Sequence, residues 1–181
     1  MSVPKSRREH HDFIAGHKLR QLRLKITELA LYGFGYDKDR FEKRIEKFER
    51  SIKLEPEKRK TIVEKMRLKN QSFYADFIKE ETKETRKIMR AVVCEFELGN
   101  SIYPSGDNVL IEYCEKRKHL NNSIGWLYCL KQELQYIAEV LPVDKNRFEP
   151  ITKEIKEEIS LIKGVRKSSN KYLKKGKQGS L

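Results

Sequence analysis

The chain has 181 residues, 38% of them hydrophobic and 37% charged, and a formal net charge of +13 at pH 7. That length and composition suit one domain, while the lack of any run of about 18 apolar residues argues against a membrane-crossing helix. The 9 glycines and 5 prolines are too few for an all-β chain, and the 3 cysteines, without CxxC spacing, give neither a disulfide scaffold nor a zinc ribbon.

The opening segment, Met1-Ser-Val-Pro-Lys-Ser-Arg-Arg, has no apolar centre and does not read as a secretory signal. With free thiols, this gives the expectation of a cytoplasmic protein. Residues 13–32 carry the first helical pattern, in which Ala15, Leu19, Leu22, Ile26 and Leu29 form one stripe. Gly33 and Gly35 end it. Phe41, Ile45, Phe48 and Ile52 repeat at helical spacing over 38–54, and Pro56 follows. Residues 57–69 have only Ile62, Val63, Met66 and Leu68 to bury, so 33–70 reads as a helical hairpin inserted in a larger body.

A long helix is expected from near Ser72 to Gly99-Asn100, with Phe73, Phe77, Ile88, Val92 and Phe96 on its apolar face. After a Pro104/Gly106 loop, Asp107 is placed to cap the next helix. That helix has the strongest core stripe in the chain: Leu120, Ile124, Leu127, Leu130, Leu134, Ile137 and Leu141. Asp144–Phe148 suits one capped turn. The last helix is expected from Pro150, where proline is tolerated, to about Lys174, with Ile151, Ile155, Ile159 and Ile162 inward. The expected fold is all-α: one domain over 1–175, an antiparallel four-helix bundle with the 33–70 hairpin inserted, and a flexible basic tail over 176–181.

The excess charge lies at the two ends. Residues 1–26 hold seven bases against Glu9 and Asp12, residues 163–181 hold seven bases and no acid, and the 136 residues between hold 26 bases and 25 acids. Unbalanced basic ends point to a polyanionic partner. If the first and last helices run antiparallel, their basic ends meet. Arg20, Arg23, Arg166, Lys167, Lys171 and Lys174 are therefore the candidate nucleic-acid-binding residues. Tyr172 stands among those lysines as a stacking candidate. Trp126 and Tyr128 lie off the main stripe and are candidates for a partner interface.

No catalytic constellation emerges. His10, His11 and His17 lack a completing ligand, so no metal site is expected. Cys94, Cys114 and Cys129 fall in helical patterns and read as small buried filler. Glu-x-x-His is absent, and Gly33-Phe-Gly35 is not a phosphate loop. The expectation is a protein that is not an enzyme and has no cofactor. Asn121, Asn122 and Ser123, with Gln132 and Gln135, read as polar groups that fix register or bind water.

Five segments also resemble a known family: Ser2-Val-Pro-Lys-Ser-Arg-Arg; Asn100-Ser-Ile-Tyr-Pro; Asn121-Asn-Ser-Ile-Gly with Gln132-Glu-Leu-Gln-Tyr-Ile; Leu141-Pro-Val-Asp; and Glu158-Ile-Ser-Leu-Ile-Lys-Gly-Val-Arg-Lys-Ser-Ser-Asn. They are similar to the accessory variability determinant (Avd-like) proteins found beside reverse transcriptases in diversity-generating retroelements. The resemblance covers 2–32 and about 88–175. It implies a four-helix bundle assembled as a pentameric homo-oligomer. The implied role is to bind the reverse transcriptase and its template RNA during mutagenic cDNA synthesis, without catalysis. Arg166 and Lys167 match the family's basic C-terminal end, and its compact members lack the 33–70 hairpin. The alternative reading is a helical-bundle interaction module, like those encoded in ribosomal RNA intervening sequences, whose basic ends only solubilise it.

Overall fold

The computed structural model describes residues 10–173, with side chains from residue 14. Lys5, Arg7, Arg8, Lys174 and the 176–181 tail lie outside the described residues. The fold is all-α and bundle-like, with five helices among the described residues: α1 (His10–Leu31), α2 (Lys38–Ser51), α3 (Pro56–Ser101), α4 (Val109–Val140) and α5 (Glu149–Ser168). No described helix is long and apolar enough to cross a membrane.

The α3 and α4 helices pack antiparallel. Pairings along the interface run in opposite senses, from Lys116 Nζ donating to Gly99 O at 3.0 Å to Phe77 stacking edge-on against Tyr136. The α1 helix packs on α3 and α5, and α4 packs on the same two helices from the other side. The buried stripe expected of α1 is in place, with Ala15, Leu19, Leu22 and Ile26 buried and Leu29 packed at the edge. So is that of α4, from Leu120 through Leu141. Each fully buried Leu, Ile or Phe contributes about 1.5–3 kcal/mol relative to exposure.

Two local features tighten this body. Gly99 lets α3 and α4 approach closely, since a Cβ there would lie 3.1 Å from Leu120 Cγ. The Gly33-Phe34-Gly35 turn is left-handed throughout, with φ of 57°, 57° and 76°. Phe34 accepts that uncommon backbone because its ring is wholly buried in the main core, where it plugs the end of the bundle.

The structure differs from the sequence reading at several points. The α3 helix is one element of 46 residues, about 69 Å long, so the hairpin's second arm is simply its first turns. No glycine or proline interrupts residues 57–98. The apolar stripe thins there because only α2 covers that stretch, through a separate small cluster of Phe41, Ile45 and Val63. Pro56 opens α3 rather than merely stopping α2. Phe73 is half exposed, not core. Asp107 sits in a short 3-10 turn and does not cap α4, which starts at Val109 with no side-chain cap. The turn after α4 is as expected, with Asp144 accepting from Asn146 N at 3.2 Å. Cys94, Cys114 and Cys129 are exposed free thiols, not buried filler. They lie on helical faces that no neighbouring helix covers.

Candidate nucleic-acid interface

The α5 helix sorts its charges by face. Glu154, Glu157 and Glu158 turn toward α1, where Lys25 pairs with Glu154 and Lys18 Nζ lies 3.6 Å from Glu157. Lys153, Lys156, Lys163 and Arg166 turn toward α4. The spacing explains this: Lys156 and Lys163 are seven residues apart and share one side, while Glu154 and Glu158, one turn apart, share the other.

On the α4 side the bases meet neutral partners. Lys163 Nζ donates to Tyr128 Oη at 3.3 Å, and Arg166 Nη1 donates to Asn121 Oδ1 at 2.7 Å. Further along, Arg117 Nη1 donates to Tyr113 Oη at 3.1 Å and to Asn170 Oδ1 at 3.2 Å. At the opposite end the same helix–helix seam opens into a groove of about 410 Å³. Its floor is Leu134, Ala138 and Phe148, and its rim is Lys131, Lys145, Lys153 and Lys156, with Glu149 the one acid lining it. From Thr152 to Asn170, just past the end of α5, the seam runs about 27 Å. None of its seven cations appears among the ion pairs of the described residues.

The sequence-derived candidates divide. The α1 start and the α5 end do lie at the same end of the molecule, and the two helices run antiparallel. Arg166 lies in the α4/α5 seam, Lys167 is exposed beside it, and Lys171 is exposed with its ammonium 5.1 Å from the Tyr172 ring. Arg20 turns to α3 instead, with Nη1 3.6 Å from Glu97, and Arg23 is exposed on α1. The α1 cations are therefore not joined to Arg166. Tyr128 belongs to the seam. Trp126, two residues earlier, points to a different flank of α4, because residues two apart on a helix do not face the same way. Its ring is 39% exposed. Arg117, Lys131, Lys145, Lys153, Lys156 and Lys163 were not among the expected site residues. For Lys156 and Lys163, the seven-residue spacing of bases on α5, opposite its acids, is the signal that would have found them.

The polar residues of α4 split the same way. Ser123 is buried and donates to Val92 O at 2.9 Å, fixing α4 against α3, while Asn121 and Asn122 are exposed. The wholly buried Lys116 ammonium donates to Gly99 O and Ile102 O, which caps the C-terminal end of α3 and offsets its dipole. His17 is exposed, and among the described residues no trio of His, Cys, Asp or Glu is placed to hold a metal.

Two carboxyls are pushed well above the usual carboxylate range. Burial, and a hydrogen bond shared with Glu133 across the α3/α4 seam, raise the Glu81 carboxyl to about 7. Burial raises the Glu158 carboxyl to about 8, opposed by the nearby Lys18.

Comparison with protein families, curated proteins and solved structures finds no match to this chain.

Proposed function

We propose that this protein is a non-catalytic, nucleic-acid-binding accessory subunit whose α4/α5 seam holds the phosphates of a template RNA. The observation that carries the reading is the row of seven seam cations, none of them ion-paired among the described residues and several anchored by neutral hydrogen-bond acceptors. A surface that concentrates positive charge against a single lining acid, Glu149, is the electrostatic footprint of a polyanion site. Tyr128 along the seam and Tyr172 beyond it add rings on which bases can stack.

The resemblance to the Avd-like proteins supports the same reading and supplies the enzyme partner. In that reading α1, α4, α5 and the part of α3 beyond residue 70 form an antiparallel four-helix bundle. The α2 helix and the first turns of α3 form the added hairpin. The protein acts in the cytoplasm, beside a reverse transcriptase of a diversity-generating retroelement. It assembles as a homo-oligomer, pentameric by resemblance, and the exposed Trp126 serves as a contact for a partner. Arg166 and Lys167, the basic positions shared with that family, lie in or beside the seam, which ties the two lines of support together.

The test is a titration with single-stranded RNA at several salt concentrations. Each phosphate neutralised on a single strand contributes about 0.7 to the slope of log affinity against log salt, so seven contacts give a slope near 5. Replacing Arg117, Lys163 and Arg166 by Gln should lower that slope by about 2. An unchanged slope would place the contacts elsewhere. No binding at low salt would leave the interaction-module reading.

A further inference from the structure

On the other face of α5 the charge balance is the reverse. Between α1 and α5 lies a cleft of about 220 Å³, lined by Lys18, Gln21, Leu22, Lys25, Glu154, Glu157 and Glu158. Glu158 forms its inner wall. The residue is only 2% exposed, and neither carboxylate oxygen has a hydrogen-bond partner among the described residues. A buried polar group left without a partner costs free energy, so such a group in a native fold calls for an explanation.

The surrounding charges leave one position open. Lys25 is engaged by Glu154, and Lys18 lies on Glu157. Gln21 is neutral, and Leu22 gives an apolar wall. When Glu158 is ionised, three carboxylates face two ammonium groups, and one positive charge with hydrogen-bond donors closes the balance.

We infer that the α1/α5 cleft is a binding site for a single alkylammonium or alkylguanidinium group, whose charged head meets Glu158 and whose aliphatic stem lies along Leu22 and the methylenes of Lys18 and Lys25. A larger polyamine would bring surplus charge, and a bare metal cation would leave the apolar wall unused. The site is separate from the α4/α5 seam and does not depend on RNA binding. Because the guest needs an ionised Glu158, binding takes up the proton linkage of that carboxyl. Its raised pKa of about 8 supports this. Affinity therefore falls roughly tenfold for each pH unit below 8.

The test is calorimetric titration of the full chain at pH 8.5 and pH 6 with butylammonium chloride and with butylguanidinium chloride. Butanol and choline serve as controls, the first lacking charge and the second lacking N–H donors. The expected result is saturable binding of one equivalent of at least one of the two cations, with neither control binding. It should weaken by roughly two orders of magnitude at pH 6. Glu158→Gln should weaken it at least about tenfold while the protein still melts cooperatively. The absence of saturable binding at pH 8.5, equal binding by Glu158→Gln, or equal binding at both pH values would each overturn the proposal.

Discussion

Glu158 offers a direct check on the packing of α1 against α5. Replacing it with Gln keeps the shape and removes the charge. In the folded protein the carboxyl titrates at about 8, against 4.5 for a solvated glutamate. Well below pH 4.5 both states are protonated and the ionisation of Glu158 costs nothing. As pH rises from 4.5 to 8 the unfolded chain releases this proton and the folded one retains it, so stability falls by up to about 1.4 kcal/mol per unit. The full penalty approaches about 5 kcal/mol above pH 8 and about 3 at pH 7; water at the cleft mouth trims the value at pH 7 to about 2–3. Urea melts of the wild type and Glu158→Gln at pH 5, 7 and 8.5 should therefore diverge. The variant should be less than about 1 kcal/mol more stable at pH 5 and about 2–3 more stable at pH 7, with the gap widening at 8.5. Glu81 titrates in the same range, but it faces Glu133 on α4 and is present in both proteins, so it cancels in the difference. If the variant were less stable than the wild type at every pH, Glu158 would have a partner in the folded state and the reasoning would fail.

Other perturbations test the remaining contacts. Lys116→Met, which keeps the stem but orphans Gly99 O and Ile102 O, should lower stability by about 1–3 kcal/mol in denaturant melts. Gly99→Val should cost about 1–3 kcal/mol, because its Cβ would press on Leu120 at the closest approach of α3 and α4. Replacing residues 38–68 with a short Gly/Ser linker should leave one cooperative thermal transition. The Phe41–Ile45–Val63 cluster is separate from the main core, and Phe34 is retained. Light scattering at micromolar concentration should give a mass above that of one chain, and Trp126→Ala should lower it; a monomer throughout would remove the oligomer from the proposed function.

How far the sequence carried depends on how local each signal was. The α1 and α4 stripes were legible because two full rows of neighbours cover them, so almost every third or fourth position is apolar. The continuity of α3 was not legible, since a helix overhanging its bundle needs few apolar positions and its pattern fades where only α2 packs on it. Phe34 hid in a turn: its neighbours, Gly33 and Gly35, marked the chain reversal, but nothing local says that the ring between them enters the core. At the candidate site, Arg166 was found because it belongs to a run of bases. Lys156 was missed because it sits among acids in the sequence and is separated from them only by the rotation of the helix, and Lys131 because it stands alone in an apolar-rich stretch of α4. Arg20 was placed in a basic patch for the same reason in reverse, as its acidic neighbour Glu97 is distant in sequence.

That rotation ties the two faces of α5 into one electrostatic argument. Its acids face α1, which presents Lys18 and Lys25 to them, so that seam is nearly self-neutralising. The α4 helix makes no such provision for the bases. Its Glu133 lies against Glu81, and its Glu139 accepts from Gln135 at 3.0 Å. What α4 offers along the seam is Tyr128, Asn121 and, through Tyr113, Asn170, all neutral. Neutral acceptors hold a guanidinium or ammonium in place but leave its charge uncompensated. Two unit charges one helical turn apart repel by less than about 1 kcal/mol in water, yet by several times that where low-dielectric walls displace solvent. A row of such charges over about 27 Å is therefore held together by the apolar core beneath it and against its own field. A phosphate backbone laid along the seam removes that repulsion and gains from every cation at once. For this reason the proposed polyanion site is placed on the α4/α5 face, and not on the more numerous cations of α1 and the hairpin.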